Sequence, residues 1–185
     1  MRNALTFLLL LLFLTAPTFA DTPDFSHKFG FSLAAGRNEP IFNNEFDQKA
    51  DGENVMGAYL RYQINKESGL QFGYTRYEWS NSPTAARIYD LVYMYRLAKR
   101  HWFTPILGAG VGLVDIAHYN VDENLKLGLK ARVGVEYVIS ENMLIDGVID
   151  YQYVGKMPGE EREITVGEMH AIAPQLILTY FIATL

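Results

Sequence analysis

The chain has 185 residues, no cysteine, and 16 Lys and Arg against 21 Asp and Glu, a formal net charge of −5 at pH 7. That length suits one folded domain, and the acidic balance argues against nucleic acid as a partner. Without cysteine there is no disulfide framework to supply stability, so the architecture itself must do it.

In chain order the first feature is Met1-Arg2-Asn3, a short basic start, followed by an apolar run from Ala4 to Leu14. Thr18-Phe19-Ala20 then offers a small-x-small cleavage site. Together they predict a secretory signal peptide over 1–20 and a single domain over 21–185. No cysteine follows the apolar run as a lipoprotein anchor would require. Beyond it, no stretch reaches the roughly 18 apolar residues of a spanning helix.

The remainder alternates between apolar and polar residues, which predicts strands at 27–37, 54–64, 70–80, 86–98, 102–119, 125–139, 143–154 and 170–183. Several exceed the usual length of about 5–6 residues in globular sheets. They match the roughly 9–11 residues that a tilted strand needs to cross a bilayer. The connections 65–69, 99–101 and 140–142 are tight and polar; those between them are 38–53, 81–85, 120–124 and 155–169, two of them long. Short turns at one rim and longer loops at the other are the pattern of a membrane barrel whose N-terminus lies in the periplasm.

Side-chain alternation assigns two faces. In LKLGLKARVGVEYVI (125–139) one face carries Leu125, Leu127, Leu129, Val133, Val135 and Ile139, and the other Lys126, Lys130, Arg132 and Glu136. The other strands divide the same way, with Arg61, Gln71, Asp90, Arg96, Asp146, Asp150 and Gln175 on the polar side. Gly108, Gly110 and Gly112 also fall there, where a crowded interior needs small groups. A dry core could not hold that set unpaired. Tyr62, Tyr74, Tyr89, Tyr95, Tyr137, Tyr153 and Tyr180 lie near strand ends on the apolar side, as aromatic girdles at lipid–water interfaces do. The expectation is therefore an all-β fold: an eight-stranded, antiparallel, up-and-down transmembrane β-barrel preceded by a cleaved signal peptide.

FTPILGAGVGL (103–113), LGLKARVGVEYVISENMLIDGVIDYQY (127–153) and the spaced residues Gln175, Leu176, Leu178, Tyr180 and Ile182 carry a family likeness. They resemble stretches of the small eight-stranded outer-membrane barrels of the OmpA-transmembrane-domain, OmpX and opacity-protein kind. Two positions depart from that pattern: Ile177 stands where glycine is frequent, and the chain ends in Leu185 rather than an aromatic. The resemblance implies residence in the cell outer membrane and contact with its lipids and lipopolysaccharide. It further implies recognition of the C-terminal strand by the outer-membrane insertion machinery.

Register counted through 140–142 places Arg132 near Asp150, with Lys130, Glu136, Asp146 and Gln175 close by. This network is expected to plug the lumen. Arg37, Arg76, Arg87, Lys156 and Arg162 are candidates for lipopolysaccharide phosphates. Acidic loops carrying Glu39, Glu45, Asp47 and Asp51, and Glu160, Glu161 and Glu163, lack calcium-loop spacing, so no metal site is assigned. GAGVG (108–112) is not followed by the helix that a phosphate-binding loop needs, and no cofactor is expected.

His118 and His170 fall near the outer rim with Ser80, Ser82, Asp115, Asp122, Glu123 and Glu168 available. They define one alternative, a lipid A-modifying hydrolase. A narrow small-solute channel is another. The reading adopted is a monomeric, non-enzymatic barrel whose loops serve an envelope-structural or adhesive role toward an unknown surface ligand.

Overall fold

The computed structural model describes residues 23–41, 51–80, 85–97, 103–118, 121–155 and 169–184. The signal-peptide expectation lies outside them. Eight long strands run in chain order: β1 (Lys28–Arg37), β2 (Asp51–Gln63), β3 (Ser68–Ser80), β4 (Ala85–Arg96), β5 (Phe103–His118), β6 (Val121–Ser140), β7 (Met143–Val154) and β8 (Met169–Thr184). Each pairs antiparallel with the next, and β1 pairs with β8, so the sheet closes and leaves no edge.

The strand ends differ from expectation in instructive ways. β6 begins at Val121 and is laddered to β5 through His118↔Val121, so most of the expected 120–124 loop is strand. Polar side chains such as Asp122 and Glu123 do not prevent backbone pairing when the partner strand continues alongside. Glu39–Pro40, expected within a loop, pairs with β8 at Ile172 and Ala171, continuing the register of β1 after a break at Arg37–Asn38.

Register fixes the shape. The ladder Phe31↔Leu60, Leu60↔Phe72, Phe72↔Leu91, Leu91↔Val111, Val111↔Leu129, Leu129↔Tyr153, Tyr153↔His170 returns to β1 at Ile41, whose amide donates to the His170 carbonyl. Ile41 lies ten residues beyond Phe31, so the shear is ten for eight strands. With a rise of ~3.3 Å per residue and strands ~4.8 Å apart, that gives a tilt of about 40° and a backbone radius of about 8 Å. Long side chains from opposite walls meet at the axis of such a cylinder.

The short turns are built by local polar groups. In the β2–β3 turn the Asn65 side-chain oxygen accepts from the amides of Glu67 and Ser68, both at 2.8 Å, and imposes the reversal. At the N-terminus His27 adopts a left-handed φ of 59°, turning the chain so that Phe25 lies under the barrel. The Lys28 amide then donates to the Phe25 carbonyl and the His27 amide to the Gln63 carbonyl.

Alternation is read out as the sequence requires, with the greasy face outward. Leu33, Leu60, Phe72, Leu91, Val111, Leu127, Val133, Leu176 and their neighbours are exposed on the outer wall. Arg61, Gln71, Asp90, Lys130, Arg132, Glu136, Asp146, Asp150 and Gln175 are buried inside. A wall with this much exposed apolar surface is stable against hydrocarbon, not water.

Candidate functional site

The interior is layered along the axis, and β7 alone samples every level: Leu144, Asp146, Val148, Asp150, Gln152, Val154. At the periplasmic end Leu144 joins Phe25, Val138 and Phe181 in a buried apolar cluster. Phe25 stacks on Phe181 with centroids 4.6 Å apart and is only 3% exposed. It acts as a stopper in the mouth.

Above it lies a first ionic level. Arg61 on β2 donates to Glu136 on β6 at 2.6 Å and to Asp146 on β7 at 2.7 Å. Arg96 on β4 donates to the same Glu136 carboxylate at 2.8 Å and to the Lys66 carbonyl at 3.1 Å. One carboxylate thus joins guanidiniums from two strands that are not neighbours of its own. Such charge-assisted, multiply bonded pairs are the form in which buried ions are tolerated.

A second apolar level follows, made by Ala34, Tyr59, Ile106, Val148 and Ile177. The Tyr59 ring lies across the inner wall where Gly73 has no side chain, because a Cβ there would sit 2.2 Å from the ring. The Tyr59 hydroxyl is 2.7 Å from the Thr75 hydroxyl. Gly108, Gly110 and Gly112 face the same crowded interior, and a Cβ on Gly110 or Gly112 would press on the backbone and side chain of Val92 or Asp90.

The second ionic level is centred on Arg132. It is the ladder partner of Asp150 and grips that carboxylate through Nε at 2.6 Å and Nη2 at 2.7 Å. Nη1 donates to Gln71 on β3, and the guanidinium carbon stands 6.0 Å from the Tyr59 ring. Lys130 donates to Asp90 on β4 and lies 3.7 Å from Asp150, while Gln175 on β8 donates to Asp150 at 3.2 Å. The outer end is closed by Val55, Tyr77, Ala86, Ile88, Val114, Val154, Met169 and Ala173.

The sequence-derived network therefore divides. Arg132, Asp150, Lys130 and Gln175 meet in the second ionic level, whereas Glu136 and Asp146 belong to the first. The partners Arg61, Arg96, Asp90 and Gln71 were legible as inward-facing but not as members, because cross-lumen contacts depend on the shear. The apolar interior levels and Phe25 escaped a reading that looked inside only for polar residues.

The outer rim carries its cations on the lipid-facing wall. Arg37 is 2.6 Å from Glu39, Arg87 is 3.4 Å from Asp115, and Arg76 is held by Glu78. Each of these candidate phosphate ligands is thus already matched by a carboxylate. Lys156 and Arg162 lie outside the described residues. So do Ser82, Glu168, Glu45, Asp47, Glu160, Glu161, Glu163 and the side chains of His118, Ser80, Asp51, Asp122 and Glu123.

His170 stands on the outer wall with its Nδ1 2.7 Å from the Tyr151 hydroxyl. Asp115 is engaged with Arg87 on another part of the wall. Among the described residues no group of three or more His, Asp or Glu is placed to hold a metal ion. Below the barrel, Asp24 pairs with Lys66 at 3.2 Å. Its carboxyl is held down at about 2 by hydrogen bonding to Ser26, with Lys66 contributing less.

The family model of the outer membrane protein beta-barrel domain matches residues 6–167. The chain belongs to that family. Like its other members, it resides in the outer membrane. No curated protein matches the chain. Among solved structures it is similar to Neisserial surface protein A, with a TM-score of 0.65 at 18% identity over 83% of this chain and 97% of that one. It is also similar to the N-terminal barrel domain of Pseudomonas aeruginosa OprF, with 0.59 at 15% over 84% and 98%. The outer membrane protein AlkL, solved in lipid bilayers, gives 0.52 at 14% over 92% and 96%. Identities this low speak for a shared fold.

Proposed function

We propose that this protein is a closed, monomeric, non-enzymatic membrane anchor that presents its outer connections to a surface ligand, in an envelope-structural or adhesive role. The layering of the lumen carries the reading. Apolar levels at both mouths and at mid-height alternate with two ionic levels whose members bond across the axis. Water is disfavoured at apolar constrictions, and a cylinder of about 8 Å radius is filled by its own side chains. What remains for interaction is the outer end, where Arg37, Arg76 and Arg87 stand at the level of lipid head groups and are proposed to contact lipopolysaccharide phosphates from within their ion pairs.

Planar-bilayer recording from the purified full chain tests this. A quiet membrane, or rare brief events, is expected. Large and stable conductance would replace the anchor by a channel. Mass spectrometry of lipid A from cells with and without the protein tests the non-enzymatic part, with an unchanged acyl pattern expected.

A further inference from the structure

The lipid-facing apolar belt does not end at one level. On β1 to β4 the last apolar residues before the outer rim are Ala35, Met56, Tyr74 and Tyr89. The next lipid-facing positions are Arg37, Asn54, Arg76 and Arg87, all exposed. On β6 the belt continues through Leu129 and Leu127 to Leu125, with Leu127 56% and Leu125 50% exposed.

The register shows how far the two arcs differ. Arg76, Arg87, Asp115 and Leu125 are successive partners on one rung running from β3 to β6. With a shear of ten, each step toward β8 climbs about 3 Å along the barrel axis toward the outer face. Leu125 therefore stands about 9 Å beyond Arg76, three steps away. A boundary perpendicular to the axis would leave the leucines in the head-group layer or draw the Arg76–Glu78 pair into hydrocarbon. Both are unfavourable.

We infer that the outer boundary of the bilayer is uneven around this barrel, low at β1–β5, where Arg87 and Asp115 pair, and high at β6, so that acyl chains of the outer leaflet cover Leu125 and Leu127. The occupant is lipid because the patch is continuous with the established lipid-facing wall. Leu125, Leu127, Leu129, Val133, Val135 and Tyr137 follow one another on β6 with only Ala131 between them. The leaflet meets this demand by local thickening or by a lean of the barrel.

The absence of native cysteine allows a direct test. Leu125→Cys, Leu127→Cys, Leu91→Cys and Asn54→Cys variants of the full chain carry a spin label in phosphatidylcholine vesicles, and collision with oxygen and with a nickel chelate is measured. Heat-modifiable gel migration establishes that each variant is folded. The labels at Leu125 and Leu127 are expected to match the oxygen-rich, nickel-poor signature of mid-belt Leu91, with Asn54 several-fold more accessible to nickel. Nickel accessibility at Leu125 equal to that at Asn54 overturns the inference. So does protection from both reagents that grows with protein density, which would mean that a second copy, not lipid, covers the patch.

Discussion

Arg132 on β6 and Asp150 on β7 occupy the same rung, and the guanidinium holds both carboxylate oxygens, at 2.6 and 2.7 Å, inside the barrel. The pair also anchors Gln71, Lys130 and Gln175 from other parts of the wall. Removing one partner leaves an unmatched buried charge, so Asp150→Ala is expected to cost about 3–5 kcal/mol. Arg132→Met combined with Asp150→Leu should cost less than the sum of the single changes, because no orphan charge remains. Urea unfolding in vesicles, analysed as a double-mutant cycle, checks this. Additive effects would mean that the pair is not coupled.

Phe25 closes the periplasmic mouth by stacking on Phe181. Phe25→Ala should destabilise the barrel by about 3 kcal/mol, the lower range for a buried phenylalanine. Conductance should stay low in this variant, since the Asp90–Lys130 level and the outer apolar cluster still bar the path. A steady current from Phe25→Ala would show that the stopper is the sole seal.

Gly73 gives Tyr59 its place on the inner wall. Gly73→Val should displace that ring, break its hydroxyl contact with Thr75 and cost about 1–3 kcal/mol through overpacking. Ultraviolet resonance or NMR signals of Tyr59 should shift while the strand content is unchanged. A neutral effect on both would contradict the packing described.

Asp24 is exposed and hydrogen-bonded to Ser26, and its carboxyl lies at about 2, below the ordinary 3.8. A lowered folded value means that its stabilising contribution is present above pH ~3.8 and fades as pH falls toward about 2. NMR titration of the Asp24 carboxyl in Ser26→Gly should show a higher midpoint, because hydrogen bonding by the Ser26 side chain is the largest cause of the depression and only the Ser26 amide still donates. Ser26→Pro, which removes that amide, should raise it further. A midpoint that ignores Ser26→Pro would shift the cause to Lys66.

Much of this architecture was legible because strand alternation has a period of two and leaves little freedom. Once Leu125 faces lipid, Lys126, Lys130, Arg132 and Glu136 must face inward. Arg132 and Asp150 could be matched from the sequence because a tight turn sets the register of adjacent strands. The Arg61–Glu136 and Lys130–Asp90 contacts could not, since they join strands that are not neighbours and depend on the shear of the closed cylinder.

By itself the sequence determined the number of long strands, the two faces of each, and the outward position of the apolar one, because those follow from side-chain periodicity and the cost of unpaired charge in hydrocarbon. Only the tertiary structure decided which charges meet across the lumen, that Ile88, Val114, Val148 and Ile177 interleave with them, and that Phe25 turns back to close the mouth. Only closure with a definite shear placed Leu125 above Arg76. These are relations between residues far apart in the chain, and they exist only after the last strand has joined the first.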